Sequence, residues 1–199
     1  SADRGATFSG PLTDGMTLDP TERAPDEIAV AWDDPYRVLA GTRGGLFVSE
    51  SGGGTWTNVE GVSAVVIRRL ASSPADPAQV WMSTWGSGVW TRTSPDQPWR
   101  RVPLATLPSD YSSTVAPDPA DAARVLVGAG SDLWRSSDGG RSFARDVAFA
   151  AAGGANVLAV GYDTNVDIVY AGTQLAGVLR SFDRGLTWEY LAEVARDPT

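Results

Sequence analysis

Any chemistry in this chain must come from carboxylates, hydroxyls, aromatic rings and guanidinium groups. It has no histidine and no cysteine, and all 16 of its basic residues are arginine. Ser-His-Asp and Cys-His nucleophilic catalysis, lysine Schiff bases, zinc centres built on His or Cys, disulfides and thiol switches are therefore excluded. The only arginine doublets are Arg68 with Arg69 and Arg100 with Arg101. A planar guanidinium pairs carboxylates bidentately and is common at protein interfaces, so the doublets are candidate partner-binding groups. The carboxylates read differently. Glycoside hydrolysis needs two of them flanking one bond, yet Asp33, Asp34, Asp76, Asp118, Asp121, Asp138, Asp163 and Asp183 all stand in turn sequences. There an aspartate's ordinary work is to bond backbone amides. No catalytic residue is assigned, and neither a metal nor a cofactor is expected.

The 199 residues are 42% hydrophobic, enough to bury a core. A net charge of -8 and a pI near 4.5 give a surface that repels phosphate backbones, which excludes nucleic acid held by a broad basic field. No apolar run approaches the roughly 18 residues of a membrane span, although association with a membrane complex is compatible with the sequence. The chain is expected to be exported, periplasmic or extracellular, with its signal peptide absent from this sequence. Abundant Ala, Arg, Gly and Pro without lysine fits a bacterial origin.

The elements that must position these groups come from an internal repeat. Residues 37–49, 79–91, 124–136 and 167–181 each read as a short β-branched strand, a Gly/Ser/Thr break and a second strand. Before each pair lies another apolar stretch ending in an Asp/Pro turn, and after it comes a hairpin with fixed offsets. In the first copy the hairpin residues are Ser49, Ser51, Gly53, Thr55 and Trp56; in the third, Ser136, Asp138, Gly140, Ser142 and Phe143; in the fourth, Ser181, Asp183, Gly185, Thr187 and Trp188. The second copy is eroded, keeping Asp96 and Trp99 but losing the glycine. Units of four short strands at a period of about 44 residues predict an all-β fold, a β-propeller of four-stranded antiparallel blades. The expected organisation is an extended arm over 1–26, blades over 27–60, 61–103, 104–147 and 148–191, and a tail over 192–199. No helix is expected; residues 148–155 read as an inter-blade loop around Gly153 and Gly154. Four blades lie at the low end of the usual range of about four to eight, so an incomplete or partner-completed ring is expected.

The Ser-x-Asp-x-Gly-x-Thr-Trp pattern of residues 181–188, and its copy at 136–143, resembles the Asp-box, or sialidase-type, repeat. The resemblance implies that the box is a staple on the blade periphery, with Asp138 and Asp183 structural. Sialidases of this group use three central arginines, an Arg-Ile-Pro motif and a Tyr/Glu pair. Here Ile67, Arg68 and Arg69 lack the proline, and Tyr111 and Tyr162 have no patterned glutamate nearby. Xyloglucan-type glycosidases with such boxes work across two whole propellers. The non-enzymatic branch of the resemblance includes sortilin-type receptors, the propeller assembly factor of photosystem II and exported bacterial Asp-box proteins.

Blade topology puts the Asp/Pro turns and boxes at one end and the breaks and inter-blade loops at the other, where propeller ligands bind. That second end should hold Arg43, Trp85, Ser87, Ser131 and Gln174, with loops around Ser63, residues 109–111 including Tyr111, and residues 153–156. Trp56, Trp99, Phe143 and Trp188 are read as core, as are Phe47, Trp90, Trp134 and Leu179. The expected function is a protein-binding or assembly scaffold, whose partner is another protein or a second copy of the chain. The alternative is a glycan-binding or glycoside-hydrolysing propeller.

Overall fold

The computed structural model describes residues 14–16, 25–30, 34–63, 65–163, 167–174 and 176–191. Most of the expected arm, the tail over 192–199 and the turn residue Asp33 lie outside these. Among the described residues, sixteen strands form four antiparallel sheets in chain order. The first blade holds β1 (Pro25–Val30), β2 (Val38–Thr42), β3 (Gly45–Ser49) and β4 (Thr57–Ser63). The second holds β5 (Val66–Ser73), β6 (Asp76–Trp85), β7 (Val89–Arg92) and β8 (Arg100–Arg101). The third holds β9 (Ser112–Pro117), β10 (Val125–Ala129), β11 (Asp132–Ser136) and β12 (Ala144–Arg145). The fourth holds β13 (Val157–Tyr162), β14 (Val169–Thr173), β15 (Val178–Ser181) and β16 (Glu189–Tyr190).

The expected β-propeller architecture is present, and its core lies between blades. Leu39, Leu46, Ile67, Leu70 and Met82 join the first and second; Trp81, Val89, Val115, Val125 and Val127 the second and third; Leu126, Leu133, Val157, Val169 and Leu179 the third and fourth. A strand covered on both faces needs apolar residues without alternation, and all five residues of β10 are buried. Each blade packs on the next, but among the described residues the fourth does not close on the first. Part of the first blade's free face is instead covered by residues 14–16. Met16 is buried against Ala40, Phe47 and Trp56, and the Trp56 amide donates to the Asp14 carbonyl at 2.8 Å.

The turns follow the chemistry of their residues. Asp34, Asp118 and Asp121 each accept an amide two residues on, from Tyr36, Ala120 and Ala123. In the third blade's hairpin, Ser136 Oγ accepts the Gly140 amide at 2.8 Å while donating to Asp138. Asp138 in turn accepts the amide and hydroxyl of Ser142. Ser181, Asp183, Gly185 and Thr187 repeat these bonds, and Ser51 takes the carboxylate's place between Ser49 and Thr55 in the first blade. The eroded second hairpin is held differently: the Asp96 amide donates to Ser94 Oγ, and Arg92 lies 5.3 Å over the Trp99 ring.

The Ser142 hydroxyl and amide, with the Ser136 hydroxyl, hold the Asp138 pKa down to about 2 from its ordinary 3.8. Burial opposes ionisation of Asp183, but bonds from Thr187 and Ser181 outweigh it and lower its pKa too. A depressed carboxylate stabilises the fold above its unfolded pKa and loses that contribution as pH falls through the folded value. The urea midpoint should therefore drop as pH is lowered from 3.8 towards 2, and the double variant Asp138→Asn, Asp183→Asn should show a flatter profile. Superimposable profiles would contradict this account of the hairpins.

One local expectation is corrected. Residues 148–155 are not all loop, because α1 (Val147–Ala151) forms there, with Asp146 as N-cap accepting the Phe149 amide at 2.9 Å. An Asp cap ahead of an alanine-rich turn favours helix, and Phe149 anchors it between blades.

Candidate functional site

Each blade's inner strand carries the same irregularity. The pairing of β1 with β2 skips Asp26, β5 with β6 skips Arg68, β9 with β10 skips Ser113, and β13 with β14 skips Leu158. In every case the skipped residue lies opposite the same step of the second strand: Gly41 and Thr42, Ser83 and Thr84, Gly128 and Ala129, or Gly172 and Thr173. A β-bulge leaves its extra residue unpaired and re-aims it. Four such residues therefore mark the inner edge, at the end that also holds the breaks.

The turns at this end are rigidly built. Thr42, Thr84 and Thr173 close the break in three blades, their hydroxyls donating to the carbonyls of Gly45, Gly88 and Gly177 at 2.9, 2.6 and 2.9 Å. The inter-blade loops tie consecutive blades together. The Asp110 carbonyl accepts the Gly86 and Gly88 amides, the Tyr111 carbonyl accepts the Gly130 amide, and Asn156 bonds Ser131 and Gln174 through its backbone.

Two clusters rest on this frame. In the first, Arg69 pairs with Glu27 at 3.1 Å and Arg43 with Asp26 at 3.5 Å. Burial raises the Glu27 pKa above its ordinary value, and the Arg69 charge pulls it back. In the second, Trp85 and Tyr111 meet edge to face, centroids 5.1 Å apart, while 58% and 53% exposed. A backbone bridge links the pair across the second and third blades, and Arg101 pairs with Asp110 beside it. The clusters share one end of the second blade, since β5 and β6 pair Val66 with Trp85 and Arg69 with Ser83.

The residues singled out in the sequence thus fall into place unevenly. Arg43, Arg68 and Arg69 gather at the inner edge; Trp85, Tyr111 and Arg101 gather on the rim. Gln174 stands apart, exposed on the fourth blade, and Arg100 is exposed on outermost β8. Sequence reasoning missed Asp26, Glu27, Ser113 and Leu158, which share no residue type, whereas Asp110 falls in the loop over 109–111 that it marked by position. The threonines were legible, since three of four copies carry Thr at the same offset before the break. Among the described residues no group of His, Cys, Asp and Glu is arranged to hold a metal ion.

No protein-family model matches the sequence, nor does any curated protein. Solved structures do resemble the fold. YCF48 bound to D1 peptide matches with a TM-score of 0.68 at 19% identity, over 98% of this chain and 61% of that one. The GH74 xyloglucanase from Xanthomonas campestris matches at 0.67 and 17%, over 88% of this chain and 31% of that one. PorZ, a surface component of the type-IX secretion system of Porphyromonas gingivalis, matches at 0.58 and 13%, over 83% and 22%. This chain therefore spans about three fifths of the YCF48 chain and under a third of the other two. At such identities the likeness is one of fold.

Proposed function

We propose that this chain is a non-enzymatic protein-binding module, an exported assembly scaffold or accessory subunit that engages its partner through the inner edge and rim of the first three blades. The observation that carries this reading is the exposed Trp85–Tyr111 pair, fixed by backbone bonds and flanked by arginines. Trp, Tyr and Arg supply most binding hot spots, and a pre-ordered platform loses little entropy on association. Arg68 has the most to offer an acidic partner group, because its neighbours Arg43 and Arg69 already hold carboxylates. The YCF48 complex with a D1 peptide supports peptide recognition on this fold. Placement outside the cytoplasm fits PorZ as a surface component, and no helix among the described residues is long and apolar enough to cross a membrane.

One observation favours a second reading, glycan binding or hydrolysis: burial raises the pKa of Glu27 on the first blade's inner strand, the direction that suits a general acid, and the exposed Trp85 of the second blade offers a face for stacking on a sugar. Two assays separate the readings. Peptides selected against the folded chain from a random display library should bind about thirtyfold more weakly to Trp85→Ala, the loss expected for one hot spot. Charge reversal at Arg68 and Arg69 should weaken acidic peptides most, and reversal at Arg100 and Arg101 tests the outer doublet. Turnover of sialosides or β-glucans, abolished by Glu27→Gln, would instead establish the hydrolase.

A further inference from the structure

The strand registers place all four blades in one frame, and in that frame the two outermost faces are odd. Leu39, Trp81, Leu126 and Tyr170 are equivalent positions of the second strand, on the side towards the following blade. The first three are 5%, 0% and 1% exposed, but Tyr170 is 38% exposed. Two residues on stand Gly41, Ser83, Gly128 and Gly172. The next blade's inner strand comes close over Gly41 and Gly128: an added Cβ would lie 2.5 Å from Ile67 Cγ2 and 3.1 Å from Val157 Cβ, and at Gly128 also 2.7 Å from Ser113 Oγ of its own blade. At Gly172 the nearest atom is 4.0 Å away. The fourth blade thus keeps the glycine that admits a neighbouring blade where the described chain supplies no neighbour.

The first blade shows the converse. Ile28, Leu70, Val115 and Val160 are equivalent inner-strand positions facing the preceding blade. Ile28 is 57% exposed, against 3%, 1% and 6% for the others. Between joined blades, the large second-strand residue passes beneath the next hairpin, Trp81 against Gly140 and Leu126 against Gly185. In the first blade, Met16 fills the matching slot beside Trp56.

We propose that these faces are the two halves of a head-to-tail interface between copies of this chain, and that residues 14–16 are a cap that must leave before Tyr170 of one copy enters beside Trp56 of the other. The occupant is a second copy because the first blade's free side is the kind of surface that the fourth blade's counterparts already bind three times within the chain. Two four-blade arcs joined at both ends close an eight-blade ring with two-fold symmetry, within the usual propeller sizes.

Sedimentation equilibrium of wild type and two cap variants tests this. Met16→Ser removes the plug. Gly15→Val expels it, since Gly15 has a φ of 87° and a Cβ there collides with the Trp56 carbonyl. Both variants should form a particle of twice the monomer mass and self-associate about tenfold or more tightly than wild type. Adding Tyr170→Arg, which alters only an exposed side chain of the monomer, should restore the monomer. Folded cap variants that stay monomeric, or a dimer that survives Tyr170→Arg, would overturn the interface. Wild type dimerising as tightly as the variants, or unfolding of both variants, would overturn the cap.

Discussion

Replacing Trp81 by alanine should lower the unfolding free energy by about 3–5 kcal/mol, one of the two largest losses expected from a single side chain here. Trp81 is fully buried between the second and third blades. Its ring meets Phe143 edge to face at 6.4 Å and lies against Gly140, whose left-handed φ of 83° the hairpin requires. Truncation would open a cavity under a turn that cannot collapse, because Ser136 and Asp138 pin it from the other side. The corresponding fall in melting temperature is about 6–20 °C for a chain of this size. Trp81→Phe should cost far less, since the indole Nε1 has no hydrogen-bond partner to lose. Thermal unfolding followed by circular dichroism reads both variants. Equal melting temperatures for them would show that the blade interface does not depend on this ring.

Asp146→Ala should cost about 3–5 kcal/mol as well, by a different mechanism. The buried carboxylate serves three groups: it accepts the Phe149 amide at the start of α1, Arg135 Nη2 at 2.5 Å and Trp188 Nε1 at 3.3 Å. Removing it takes the charged partner from the Arg135 guanidinium, which keeps the Gly185 carbonyl, and leaves two N–H groups without their acceptor in a confined space, where each missing bond carries a desolvation penalty. Asp146→Asn keeps a side-chain acceptor for the cap but removes the charge opposite Arg135, so it should fall between wild type and alanine. Urea unfolding should give that ranking. An asparagine variant as unstable as alanine would assign the whole effect to the ion pair, whereas one equal to wild type would assign it to the cap.

The blades were legible in the sequence because their signals are local. Ser, Asp, Gly and an aromatic at fixed offsets specify a hairpin without reference to the rest of the chain, and repetition then supplies the architecture. Trp85 and Tyr111 were also separable from the other aromatics, each by its position at a break or loop rather than in a strand. Their pairing was not, because it depends on a loop of the second blade reaching the start of the third. Asp146 shows the same limit: its partners lie 3, 11 and 42 residues away, and only the first is visible as a capping pattern. Arg184 is a further case. It takes a left-handed φ of 58° where other hairpins use glycine, and its guanidinium reaches Asp118 and Asp167 on turns of two different blades. The bulges were missed for a simpler reason, since a skipped pairing leaves no mark on residue type.

That last property gives the inner edge an unusual freedom. A residue outside the hydrogen-bonded ladder can change identity without disturbing the register that its neighbours keep. Asp26, Arg68, Ser113 and Leu158 are thus an acid, a base, an alcohol and a hydrocarbon mounted on four copies of one bracket. Ser113 also donates to the Val157 carbonyl at 2.5 Å and so helps to hold the fourth blade on the third, whereas at Asp26, Arg68 and Leu158 no such bond crosses to another blade among the described residues. At those three positions the vocabulary can be rewritten one blade at a time while the hairpins and blade interfaces go on folding the same ring segment.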